Sequence, residues 1–206
     1  AARAGTDPLS HATPMAAAAL DQPHARQVPP VPTITSHANP RDFGEPVGAD
    51  PGLREIFARE RTESAEMLRR AYAAGVPLLC GTESGFSLTP YGEWHYRELQ
   101  VFEEELGMTP LEAIACGTSA CGRALGLDGE VGAVAAGQLA DLLVVDGDPA
   151  ADVTVLGRPG AIEQVWIGGH RQSLAALPER RPIGGWQVSS YSRAKLHWQD
   201  AMDLKS

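Results

Sequence analysis

Read for the alternation of apolar and polar positions, the chain has a front part in which helical and strand-like periods take turns, and a back part of short strands. Val76 to Cys80, "VPLLC", is an apolar run that fits a buried strand, and it ends abruptly in Gly81-Thr82-Glu83-Ser84-Gly85. Before it, Leu53, Ile56, Phe57, Met67, Leu68, Ala71 and Tyr72 recur at helical spacing. They lie between the N-cap and first-turn pair Asp50-Pro51 and the closing Gly75. Further upstream, "VPTITSH" (Val31 to His37) is β-branched and reads as a strand, and "PLSHA" (Pro8 to Ala12) reads as a weaker one. Asn39 to Pro51 reads as a Pro/Gly-rich loop of the kind often laid over active sites. "PMAAAAL" is helix-prone as far as Pro23. Ala1 to Ala4 followed by Gly5 read as a helix end, as though the sequence began in the middle of something.

Downstream, a helix is predicted over roughly Glu93 to Leu106, closed by Gly107. Thr109-Pro110 caps another, and a short one follows from Thr118 to about Leu125. From Gly126 the texture changes to short strands separated by Gly-rich turns, with Gly168-Gly169 as a hairpin turn. Three segments follow: residues 1–125 as parallel βα units, 126–175 as a small β unit, and 176–206 as a polar tail carrying Trp186, Tyr191 and Trp198. If the βα units belong to a barrel of roughly 31 residues per unit, His11 and Glu83 fall on alternate strands. Both then stand near C-terminal strand ends, where barrel active sites are built.

Composition narrows the classes. A net charge of −9 with no basic block argues against nucleic acid as the main partner. No apolar run approaches the roughly 18 residues of a membrane span. Cys80, Cys116 and Cys121 form no CxxC pattern, which points to reduced thiols in a cytoplasmic setting.

Taken in order, "GTESGFSLTPYGEWHYREL", "MTPLEAIACGTSACGRALGL", "GEVGAVAAGQLADLLVVDGDP" and "VWIGGHR" carry a family resemblance. The chain resembles the C-terminal half of the metal-dependent amidohydrolase superfamily, nearest its imidazolonepropionase-like and prolidase-like branch. The resemblance implies an α/β fold: about strands 6 to 8 of a (β/α)8 TIM barrel, plus part of a small β-sandwich. It implies hydrolysis of an amide-type C–N bond in a cyclic imide, a dipeptide-like molecule or a xenobiotic amide or carbamate. It also implies a divalent metal, zinc, at about one or two per complete barrel. By the same resemblance, "SHA" is the sixth strand, with His11 a metal ligand. "GTESG" is the eighth, with Glu83 both ligand and general base, where the family normally carries an aspartate. Asp141 is structural. His37, Tyr91 and His95 are candidate substrate-binding residues, the last two on a loop that walls the site in this family.

The family's remaining ligands lie upstream of the first residue here. The resemblance therefore implies a second polypeptide carrying the other barrel half, or a homo-oligomer. The alternatives are a non-catalytic structural or assembly subunit and a truncated fragment.

Blander readings stand beside these. Glu83 could cap the following turn, and His95 and Arg97 could sit on a solvated helix face. Glu103 to Glu105 read as a solvated face with no partner. His24, His170 and His197 read as surface residues. Ser119 and Cys121 lack a nearby base for nucleophilic catalysis. The tail aromatics fit either an anchor onto another subunit or a loosely packed segment.

Overall fold

Several helix boundaries fall where capping residues put them. The computed structural model describes residues 9–10, 29–86, 88–174 and 195–203. The Asp50 side chain accepts from the Leu53 N–H at 3.0 Å and opens the long helix Pro51–Ala73 (α2). Helix His95–Leu106 (α3) ends at Gly107, whose left-handed φ of 71° lets its N–H return to the last carbonyls. Helix Pro110–Gly117 (α4) starts in a full capping box between Thr109 and Glu112, and Ser119–Ala124 (α5) follows it directly.

The front part departs from its sequence reading at "VPTITSH". Strand pairing covers only Pro30–Val31 (β2), which lies parallel to Leu9–Ser10 (β1). The chain then turns at Thr33, and Thr35–Phe43 forms a helix (α1) that runs into the predicted loop. Pro40 sits inside α1 and removes one internal hydrogen bond. Burial of Ala38, Asn39, Pro40 and Phe43 holds the helix in its place.

Val76 to Cys80 is extended but carries no continuous ladder. Leu79 donates to the Pro30 carbonyl at 3.0 Å on one side, and Cys80 to the Cys116 carbonyl at 3.1 Å on the other. Leu79 meets Pro30 and Gly81 meets Val31, so this segment runs in the same direction as β2. Contact is so close that a Cβ at Gly81 would stand 2.4 Å from Val31 Cγ1.

The main core lies between these extended segments and α1 to α4, around Ile34, Leu68, Leu78, Val101 and Phe102. Three strands make the back part: Leu142–Val145 (β3), Ile162–Ile167 (β4) and His170–Arg171 (β5), antiparallel in that order, with a 3-10 turn at Val153–Gly157. Gly168-Gly169 is the predicted hairpin turn between β4 and β5, and Asp141 Oδ1 accepts the Gly168 N–H at 2.6 Å. That bond gives Asp141 a structural role.

Two readings of exposed faces are corrected. Arg97 is 1% exposed, ion-paired to Asp42 and, at 3.1 Å, to Glu104. Glu104 and Glu105 both pair with the buried Arg61, so part of the acidic run faces cations across a helix interface. Residues 195–203 dock on the chain itself. Leu196 is fully buried beside Trp94, and the helix Trp198–Asp203 (α6) follows. His197 pairs with Glu93 at 2.9 Å, and the Trp198 indole donates to the Tyr96 hydroxyl at 3.0 Å. Trp186 and Tyr191 lie outside the described residues.

Candidate functional site

Two neighbouring extended segments end alike. Just past the end of β2, Thr33 takes a φ of 55°, and just past the end of the Val76 to Cys80 segment, Glu83 takes a φ of 53°. They are the non-glycine residues with positive φ among those described. A left-handed β-branched or long side chain is uncommon and strained, and such residues cluster where a structure must aim a group.

Glu83 is half-buried and lines a cavity of about 150 Å³ with Ser36, His37, Pro40, Phe57, Phe86, Leu88 and Thr89. Helix α1 presents Ser36, His37 and Pro40, and α2 presents Phe57. The loop after Glu83 supplies the rest. His37 packs its ring on Phe57 at 5.7 Å between centroids, and its Nε2 lies 3.4 Å from Glu60 Oε2. Asn39 of α1 donates to the Leu88 carbonyl at 2.7 Å, which ties the two walls together.

The structure therefore brings His37 and Glu83 to one cavity, with His37 on a helix and not at a strand end. Tyr91 is exposed and packs over Gly85. His95 accepts the Gly92 N–H at 3.3 Å and faces a separate, wider concavity with Leu111, Asp141 and Leu143. Neither lines the Glu83 cavity. His11 lies outside the described residues. Among the described residues, no group of three or more His, Cys, Asp and Glu side chains is placed to hold a metal ion. Those residues do not by themselves fit the metal that the resemblance implies.

Sequence reasoning missed Glu98. It reaches from α3, completely buried, to accept from the backbone N–H groups of Ile34 (3.0 Å) and Thr35 (2.8 Å) and from the Thr35 hydroxyl (2.6 Å). Its place four residues after Trp94 and four before Phe102 put it on the apolar stripe of α3, a signal the sequence did contain. Burial pushes its carboxyl up to about 7, against the hydrogen bonds from Thr35 and Ile34, which pull it down. Burial likewise raises the Cys80 thiol well above its ordinary range and lifts Cys116 to about 11, so both stay protonated and poorly nucleophilic near neutrality.

The Glu98 shift predicts a pH dependence. Its folded pKa lies above the unfolded 4.5, so its contribution to stability is complete below about pH 4.5 and is lost as pH rises through about 7. The loss is on the order of 3 kcal/mol. Urea unfolding at pH 4.5 to 8 should show that fall in the wild type, and a difference curve against Glu98→Gln should isolate it from other carboxylates. Parallel curves would discard the assignment.

The sequence pattern of the amidohydrolase family matches residues 55–171, more than half of the chain. The chain belongs to the amidohydrolase family. Among curated proteins, ochratoxinase from Aspergillus niger is 35% identical over 100 residues, a stretch covering 48% of this chain and 20% of that enzyme. Its match thus spans about a fifth of the relative's length. A solved Xaa-Pro dipeptidase with methionine bound in its active site superposes with a TM-score of 0.68 at 26% identity, over 83% of this chain and 41% of that one. A putative prolidase from Bifidobacterium longum reaches 0.71 over 99% of this chain and 46% of that one, and at 23% identity it speaks to the fold alone. The α/β character of this amidohydrolase chain agrees with these neighbours.

Proposed function

We propose that this chain forms about strands 6 to 8 of an amidohydrolase barrel and part of its β-sandwich, within a hydrolase of amide-type C–N bonds. One observation carries the reading: Glu83 ends an extended segment that runs alongside β2, and it opens into a cavity shared with His37. A carboxylate there can take a proton from the attacking water as the C–O bond forms, then deliver it to the amine as the C–N bond breaks. His37 and Ser36 would offer hydrogen bonds to the substrate. Likeness to a Xaa-Pro dipeptidase favours a dipeptide-like substrate over a cyclic imide or a carbamate. The remaining barrel strands would come from a second polypeptide or from sequence beyond these residues. A divalent metal, zinc by the resemblance, would need ligands from outside the described residues, with His11 among them.

A second reading, a non-catalytic structural or assembly subunit, is favoured by Glu83 standing where the resemblance implies an aspartate. Metal analysis of the natively purified protein, identification of any chain that accompanies it, and assay on proline dipeptides, cyclic imides and N-acyl amides separate the two. The hydrolase reading expects turnover with about one or two metals per complete barrel. A stably folded assembly that turns over none of these amides would favour the structural reading.

A further inference from the structure

We infer that Glu98 is a positioning residue: its carboxylate, clasped by the backbone that follows β2, fixes the direction of α1 and so the wall of the cavity that faces Glu83. The backbone at this point has a reason for its strain. Thr33 in the left-handed region followed by Ile34 in the right-handed one (φ −66°, ψ −19°) turns successive N–H groups toward one point, a concavity suited to the oxygens of a carboxyl group. Glu98 fills it from α3, with Ile34, Thr35 and the Thr35 hydroxyl donating, and the Thr33 backbone contributing in the same sense.

Helix α1 lacks a side-chain cap of its own, since its N-cap residue is Ile34. A residue 63 positions away supplies what a serine or aspartate would normally supply locally. Two further bonds stiffen the turn: the Thr33 hydroxyl donates to the Pro32 carbonyl at 2.6 Å, and the Ser36 hydroxyl to the Thr33 carbonyl at 2.7 Å. From that anchored first turn, α1 carries Ser36 and His37 into the cavity and Asn39 onto the loop behind Glu83. The titratable group that faces Glu98 from the neighbouring extended segment is the Cys80 thiol.

That the cavity takes substrate rests on the function proposed above; that Glu98 aims its wall does not. The test therefore needs no turnover. In the 15N-labelled protein, Glu98→Gln should keep the far-ultraviolet spectrum, while amide exchange at Ile34 and Thr35 quickens about tenfold to a hundredfold. Exchange at Val101, in the core of α3, should hold. The His37 ring signals should move, and those of exposed His170 should not. Thr35→Val, which deletes one donor, should shift the same His37 signals less.

Unchanged Ile34, Thr35 and His37 in a folded Glu98→Gln would overturn the inference, as would exchange that quickens equally at Val101. If Glu98→Gln does not fold, silence at His37 in Thr35→Val overturns it alone. A stably folded assembly that shows these shifts but hydrolyses no amide would discard the proposed function and keep the positioning role.

Discussion

Replacing Asp42 with asparagine should destabilise the fold by on the order of 3 kcal/mol. Asp42 sits at the end of α1 with its side chain 17% exposed, between Arg61 of α2 and Arg97 of α3, whose side chains are each 2% exposed. Removing its charge leaves two buried guanidinium groups to Glu104 and Glu105 alone, and desolvated cations short of counter-charge are costly. Arg97 also lies 5.8 Å above the Phe43 ring, so its displacement would disturb the packing of Phe43 with Trp94 and Leu196.

The contrast is Glu45→Gln. That carboxylate is 77% exposed and pairs with Arg54 at 3.2 Å, and its loss should change stability by less than about 0.5 kcal/mol. Thermal melts read both, with a shift of roughly 6 to 12 °C for Asp42→Asn against almost none for Glu45→Gln. Equal shifts would show that burial does not govern this network.

The second large effect concerns chemistry. In an active preparation, Glu83→Gln should lower kcat by about 10²- to 10⁴-fold with little change in KM, because the amide keeps the shape but cannot accept the proton. Glu83→Asp is the sharper probe. It keeps the base and withdraws it by roughly 1 Å, a misplacement that can cost about a hundredfold in rate. Aspartate also adopts the left-handed conformation more readily than glutamate, so the φ of 53° at this position should be held with less strain. Glu83→Asp is therefore expected to be at least as stable as the wild type and no slower than Glu83→Gln. If Glu83→Gln retained rates within threefold of wild type, the general base would have to be another group.

Where structure was decided locally, the sequence was readable. Asp50-Pro51, Thr109 with Glu112, Gly107 and Gly168-Gly169 each carry their own hydrogen-bonding or conformational instruction, and each sits where its chemistry directs. Glu83 stood out for the same reason, as an acid at the end of an apolar run. Helix α1 was not readable, because "VPTITSH" prefers to be a strand and its helical start depends on Glu98 from α3. The cations facing Glu104 and Glu105 were hidden likewise, since helical spacing shows which residues share a face but not what another helix brings to it. His37 came to the Glu83 cavity by a route the periodicity had assigned to β-structure.

The docking of residues 195–203 also bears on how the chain is made. The Trp94 indole donates to the Leu196 carbonyl at 3.0 Å, and Glu93 accepts from the Trp198 N–H at 2.8 Å, across separations of 102 and 105 residues. During synthesis, α3 and the loop behind Glu83 emerge long before their last partners do. Trp94 and Glu93 must wait in that interval with an apolar face uncovered. Contacts of such sequence separation form late and slowly, and exposed apolar surface in the interim invites misassembly. A stalled or clipped nascent chain ending before Leu196 is therefore a natural target for chaperones, and the face around Trp94 is the part it would present to them.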